Sequence, residues 1–448
     1  MSPRVSVVGG GVAGLATAHH LSKAGVEVLV LEERAVAGGI VAPPVEVGDL
    51  GLEVGPDSFA ARKPWGMALA KELGLELEAP GTSGAFLWTD RGLVPYLHGT
   101  PFGIPGDVGD VLRWPGLSRR GRIRALADLV KRTRRDGREE TLGGLLRRRL
   151  GDEATDLAIA PLLAGLHAGE VDRLSAPATF PELLQWEASQ GSLLRGAQAA
   201  QRSARRADPG PVFLRPRGGM HELARALASE LGDSLRTGTA ARAVSSMTVL
   251  TPSGVEPADA IVLACGAEAS TRLLGVDAPE ELASIDSAST AVVALVYPPG
   301  SADALPDGTG FVVPRGRAPM TAATFLSRKW PDDAFGDRAV LRCFVGGAGD
   351  DDVLAEDDAD IVAACARHLS AVMDLPSPAA SHVHRWWRAM PQYELGHLDR
   401  VRRIRSALPP GIFVVGSAFD GIGVSDLARA GEATAADVLA HLAHEDRR

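Results

Sequence analysis

The chain has 448 residues, 45% hydrophobic and 23% charged. At roughly 150 residues per domain this makes about three units with a sizeable core, which excludes a small binding module, a disordered polymer and a membrane bundle. A net charge of -9 and an aromatic content of 5% disfavour a general nucleic-acid binder, which needs a basic face or a stacking platform.

Arg4 to Val8 reads as a short apolar strand rather than a charged leader with an apolar core, so no signal peptide is expected. It runs into Gly9-Gly10-Gly11-Val12-Ala13-Gly14, a G-x-G-x-x-G followed by a helical pattern with Leu15, Ala18 and Leu21 that stops before Gly25. Val26 to Leu31 reads as a second buried strand, and Glu32 stands 18 residues after Gly14. This order predicts a dinucleotide site. Gly9, Gly11 and Gly14 let the main chain approach a pyrophosphate, the helix N-terminus opening at Val12-Ala13 supplies N–H groups and a dipole, and Glu32 accepts from ribose hydroxyls. The alternative is a glycine-rich turn with no ligand. Arg34 raises the case for NADP, but a carboxylate at Glu32 would repel the 2'-phosphate.

Downstream, Ala37-Gly38-Gly39 and Gly51 to Ser58 form a second glycine-rich stretch. Residues 100 to 205 read mainly as helices. Within them, Arg113 to Arg149 carries thirteen Arg or Lys against Asp128, Asp136, Glu139 and Glu140, a local charge of +9. This reads as a solvated helical face or as a surface for anionic lipid or a partner. Leu223, Leu227 and Leu231 lie on one helical face, after which Thr239 to Val244, Met247 to Thr251 and Ala260 to Leu263 read as strands, the first two turned at Pro252-Ser253-Gly254. Further strands are expected at Thr290 to Tyr297, Phe311 to Pro314 and Ile412 to Gly416. The last leads through Gly421-Ile422-Gly423-Val424 into an Ala-rich helix, capped by Ser425 or Asp426 or else open to a ligand. Cys265, Cys343 and Cys365 have no metal spacing and read as reduced thiols in a cytoplasmic protein. No metal is expected.

Several segments together carry a family resemblance: Gly55-Pro56-Asp57-Ser58-Phe59-Ala60-Ala61-Arg62-Lys63-Pro64, Pro161 to Glu170, Arg217-Gly218-Gly219-Met220, Phe325 to Pro331 and Met390 to His397. In this order the sequence resembles the coproporphyrinogen III and protoporphyrinogen oxidases, FAD enzymes of haem synthesis with an amine-oxidase-like fold. The resemblance implies an α/β architecture. A discontinuous Rossmann-like FAD-binding domain would comprise residues 1–75, 211–268 and 386–448, a mixed-sheet substrate domain 76–99 and 269–385, and a helical insertion 100–210. It also implies FAD contacts at Glu33, Gly39, Ile40, Gly55, Pro56, Asp57, Ser58, Val244, Trp387, Ile422, Gly423 and Val424, beside the N-terminal residues above. Two departures stand out. Ile40-Val41-Ala42-Pro43-Pro44 follows the Gly38-Gly39 pair where a basic or bulky residue is usual, and His167 replaces a Tyr, which we read as a packing residue rather than a base.

The implied reaction removes six electrons from a porphyrinogen in three steps, with O2 as acceptor and three H2O2 released. The flavin supplies the chemistry, so no catalytic side chain is expected beyond it. Substrate carboxylates need cations, and Arg62 and Lys63 are the candidates. The Arg62-Lys63-Pro64 form and the Ala, Arg and Gly-rich composition resemble high-GC Gram-positive members, which favours coproporphyrinogen III over protoporphyrinogen IX. The resemblance further admits a transient ferrochelatase-type partner and peripheral contact with the inner face of the membrane. Competing readings are another amine-oxidase-fold oxidase or desaturase and a catalytically silent nucleotide-binding scaffold.

Overall fold

Val5, Val7 and Val8 are buried on both faces of the first strand, the pattern of a central parallel strand covered by helices. The computed structural model describes residues 3–97, 99–114, 116–134, 136–206 and 210–445. Its main strands are β1 (Arg4–Val8), β2 (Glu27–Leu31), β3 (Phe86–Thr89), β4 (Gly92–Pro95), β5 (Leu235–Arg236) and β6 (Ala260–Leu263). They continue with β7 (Ser287–Val296), β8 (Gly310–Val312), β9 (Met320–Phe325), β10 (Val340–Gly346), β11 (Ala380–Pro391) and β12 (Ile412–Val414).

Two sheets organise them. The first, in order β5-β2-β1-β6-β12, is parallel throughout. Helices α1 (Val12–Lys23), α2 (Leu142–Leu150), α3 (Ala160–His167) and α4 (His221–Leu231) follow in the chain, then α5 (Asp358–Ser370), α6 (His397–Ala407) and α7 (Val424–Glu445). Leu15, Leu21, Leu223, Leu227, Leu231 and Val438 from α1, α4 and α7 pack into one core with Val5 and Val7. The second sheet, β11-β7-β10-β9-β8-β3-β4, is mixed, with β8 and β3 parallel and its other pairs antiparallel. A separate helical core, built around Leu145, Leu146, Ile159 and Leu163, packs through α3 on β8 and β9.

Some expectations change. The strand expected from Thr239 starts only at Ala243, in a hairpin whose strands are Ala243–Ser245 and Thr248–Thr251. Before it, Gly238 and Thr239 donate to the carbonyls of Arg34 and Glu32, so that segment crosses the end of β2 instead. The boundary expected at 385/386 falls inside β11, which pairs with β7 from Ala380 to Pro391. Leu77–Glu78, expected with the mixed sheet, pairs instead with Phe213–Pro216, which also pairs with Phe59–Ala60.

The basic stretch is not one free face. Arg124 donates to the carbonyls of Arg147, Arg148 and Arg149 at the end of α2, a placement that suits the negative end of a helix. Arg148 pairs with Glu140 and Glu187, and Arg147 with Asp156 and Asp172. Arg149 is fully buried against Asp128. Counting charge along the chain missed acids that folding brings in from residues 156 to 187; Arg135 lies outside the described residues.

Candidate functional site

The turn after β1 is shaped by what each glycine faces. A Cβ on Gly14 would lie 2.1 Å from the Gly9 carbonyl oxygen, so α1 can approach β1 this closely only without a side chain. Gly11 differs: a Cβ there would meet no protein atom within 4 Å. Gly11 is also the N-cap of α1, with no side-chain cap, so the first N–H groups of the helix have no capping side chain from that residue. Glu32 is buried, its carboxylate accepting from the backbone N–H of Gly10 at 2.7 Å and of Arg34 at 2.9 Å. Each oxygen keeps a further lone pair for a hydroxyl donor. Glu33 is exposed, while the Arg34 guanidinium lies 5.9 Å from the Trp386 ring.

Gly38 donates to the Gly10 carbonyl at 2.8 Å, which sets the Gly39–Val41 turn beside the first loop. The Ile40 carbonyl oxygen lies 1.7 Å from where a Gly55 Cβ would be, so the departure after Gly39 forms a tight turn seated directly on the Glu53–Ser58 stretch. That stretch is gripped from the mixed sheet. Arg342 on β10 donates to the carbonyls of Glu53 and Gly55, both at 2.8 Å, and Trp386 Nε1 on β11 to that of Val54 at 3.0 Å. Pro56 and Ser58 are half-buried. The Asp57 carboxylate points inward, to Lys329 at 2.8 Å, Arg342 at 2.7 Å and the Ser58 hydroxyl at 2.8 Å. Burial alone would raise its pKa, but the two cations hold it well below the carboxylate range.

At the second turn, Tyr393 donates to the Ser417 carbonyl and accepts from the Gly421 N–H. Asp426 pairs with Lys63 at 2.5 Å while its carboxylate lies against the turn, 3.0 Å from where a Gly423 Cβ would be, and among the described residues the buried Ser425 hydroxyl has no partner. Among the described residues neither side chain has a hydrogen bond to the first backbone N–H groups of α7.

The remaining candidates are dispersed. Arg62 is exposed over the Phe102 ring at 5.3 Å and pairs with Glu182 at 2.9 Å. Both proposed substrate cations therefore already have acidic partners. Val244 is buried in its hairpin. Trp387 is 60% exposed, beside Arg388 at φ 46° and a break in the β7–β11 register. Sequence reasoning missed Lys329, Arg342, Trp386 and Tyr393 as supports. A charge inside the apolar run of β10 was the available signal for Arg342.

His167 packs between Phe180 and Tyr393, and His397 stacks on Tyr393 at 3.9 Å. Burial lowers both imidazoles to about 4, with Lys63 adding to the effect on His167 and Arg400 on His397. This agrees with packing rather than base chemistry for His167. Their folded pKa lies below the unfolded value of about 6.5, so stability is complete above that pH and is lost as pH falls toward 4, by about 2 kcal/mol per imidazole at pH 5. Urea midpoints at pH 7 and pH 5 are expected to converge in His397→Phe relative to wild type; an unchanged difference would contradict the assignment.

The family described as flavin containing amine oxidoreductase matches residues 12–439. Coproporphyrinogen III oxidase of Bacillus subtilis is 31% identical, over 98% of this chain and 98% of that one. The Mycobacterium tuberculosis protein of the same name is 33% identical over 95% of each. A crystal structure from Exiguobacterium sp. 255-15, named provisionally as a protoporphyrinogen oxidase, has a TM-score of 0.87 at 31% identity, covering 98% of this chain and 99% of that one. Putrescine oxidase, at 20% identity and a TM-score of 0.72, shares the fold. The open space at Gly11, the uncapped start of α1 and the orphan Ser425 hydroxyl fit a dinucleotide cofactor approached from two turns. The chain belongs to the flavin containing amine oxidoreductase family, with FAD as its cofactor.

Proposed function

We propose that this protein oxidises coproporphyrinogen III to coproporphyrin III, removing six electrons and six protons in three steps while three O2 become three H2O2. The observation that carries this reading is end-to-end similarity to relatives named coproporphyrinogen III oxidase, at 31% and 33% identity over nearly the whole of both chains. Bound FAD would supply the two-electron acceptor chemistry of each step. The chain's own residues do the rest. Gly9 to Gly14 and Glu32 hold the pyrophosphate and ribose, with Glu33, Gly39, Ile40 and Val244 alongside. Gly55 to Ser58, Ile422 to Val424 and the exposed Trp387 would hold the flavin ring. The helical module and the mixed sheet shape the macrocycle pocket.

Arg62 and Lys63 orient substrate propionates, exchanging Glu182 and Asp426 for substrate carboxylates. Arg62→Ala is expected to raise KM for coproporphyrinogen III about tenfold with kcat little changed, the pattern of a lost uniform binding contact. An unchanged KM would remove Arg62 from the site. Among the described residues no helix is long and apolar enough to cross a membrane. Arg119 and Arg120 are exposed beside Ile123, which supports peripheral contact with anionic lipid.

The deciding experiment supplies coproporphyrinogen III and protoporphyrinogen IX separately to FAD-loaded protein, with and without O2. We expect porphyrin fluorescence above autoxidation, higher kcat/KM for the four-propionate substrate and three H2O2 per porphyrin. FAD-loaded protein that makes no porphyrin from either substrate would refute the reading.

A further inference from the structure

Behind the Gly55–Ser58 stretch lies a buried charge cluster that the packing of the sheets does not require. Arg342 is 1% exposed in the middle of β10, where Val340, Leu341, Cys343 and Val345 are apolar and buried. Lys329 is buried beneath the rings of Phe213 and Trp330, at 5.1 and 5.8 Å. Both converge on the single carboxylate of Asp57. Two cations therefore face one anion, leaving one positive charge in excess. Among the described residues Asp57 is the one carboxylate paired with Lys329 and Arg342. Arg215, over the other side of Trp330, is paired with Glu78 at 2.6 Å, and Glu53 is paired with His221 at 3.0 Å.

Apolar residues would fill these positions at less desolvation cost. An excess charge away from solvent is also poorly screened and acts over a longer range than a surface lysine. A flavin ring takes on negative charge when it accepts electrons, and fixed protein charge beside it tunes that step.

We propose that Lys329 is a positioning residue for charge: its ammonium, held by Asp57 behind the flavin-flanking stretch, raises the flavin reduction potential and so favours hydride removal from substrate. This rests on the reading that Gly55 to Ser58 flank the flavin ring. Arg342 balances Asp57 and grips the loop, so the bias comes from Lys329.

The test is the flavin midpoint potential, measured by dye equilibration on FAD-loaded wild type, Lys329→Met, Lys329→Arg and Asp57→Asn. Lys329→Met is expected to shift the two-electron equilibrium toward oxidised flavin about tenfold, which is about 30 mV for a two-electron couple. Asp57→Asn moves it the opposite way, and Lys329→Arg stays within threefold of wild type. A purely structural role would move Met and Asn variants in the same direction or not at all. Either result, in protein that retains stoichiometric FAD, overturns the proposal. Should Asp57→Asn fail to fold, the Met and Arg variants still decide. Wild-type protein that takes up no FAD would instead overturn the flavin reading itself.

Discussion

Gly11→Val is expected to fold with the wild-type apoprotein melting temperature and to lose FAD affinity by a hundredfold or more, about 3 kcal/mol. Two facts combine here. The Gly11 backbone sits at φ −74°, ψ 173°, an extended conformation that valine adopts without strain. A Cβ at this position would meet no protein atom within 4 Å, so the first atom of a side chain has nothing in the apoprotein to clash with. A pyrophosphate seated on the N-terminus of α1 would occupy that space. Gly14→Val is the control with the opposite signature: its Cβ would overlap the Gly9 carbonyl at 2.1 Å, so the apoprotein itself should melt earlier. Thermal melts of the apoproteins and a fluorescence titration with FAD separate the two. Full-affinity FAD binding by Gly11→Val would mean that the loop does not hold the cofactor.

Asp128→Ala should cost about 3–5 kcal/mol of stability, the range for removing one partner of a buried ion pair. Asp128 and Arg149 are both 0% exposed. The carboxylate also accepts from the Ser192 hydroxyl at 2.5 Å and the Leu194 N–H at 3.0 Å. Its removal orphans the Ser192 and Leu194 donors and Arg149 Nε inside the helical core, leaving Glu187 at 3.4 Å as the acid paired with that guanidinium. Asp110→Ala, which breaks the exposed pair with Arg113, should cost no more than about 0.5 kcal/mol. The helical module has its own core, so the loss should appear as amide exchange confined to residues 119–206. A uniform loss of protection across both sheets would mean that the module does not unfold separately.

The parts of the fold legible in the sequence are those set by local pattern. Glycine spacing after an apolar run fixed β1, the turn and α1, because close backbone approach needs glycine within a few residues of the strand end. Leu223, Leu227 and Leu231 marked the buried face of α4 for the same kind of reason. β11 escaped: His382, His384, Arg385 and Arg388 interrupt any apolar run, and the strand lies at the edge of its sheet, with its register broken near Ser289. The supports of the site escaped for another reason. Asp57 was visible as part of a motif, but its partners lie 272 and 285 residues away, and no local periodicity encodes such a pairing. The resemblance assigns Asp57 to the cofactor stretch, and its carboxylate is what turns to the mixed sheet.

The grip on the carbonyls of Glu53, Val54 and Gly55 also orders events in time. The first glycine turn precedes in the chain both Arg342 and Trp386, which hold the stretch beside it, and the second turn at residues 416–424. A nascent chain that has completed only the first half of its parallel sheet has the first glycine turn without the walls around it. A cofactor held by both glycine turns would therefore be captured only after β12, which leads into residues 416–424, has joined the parallel sheet.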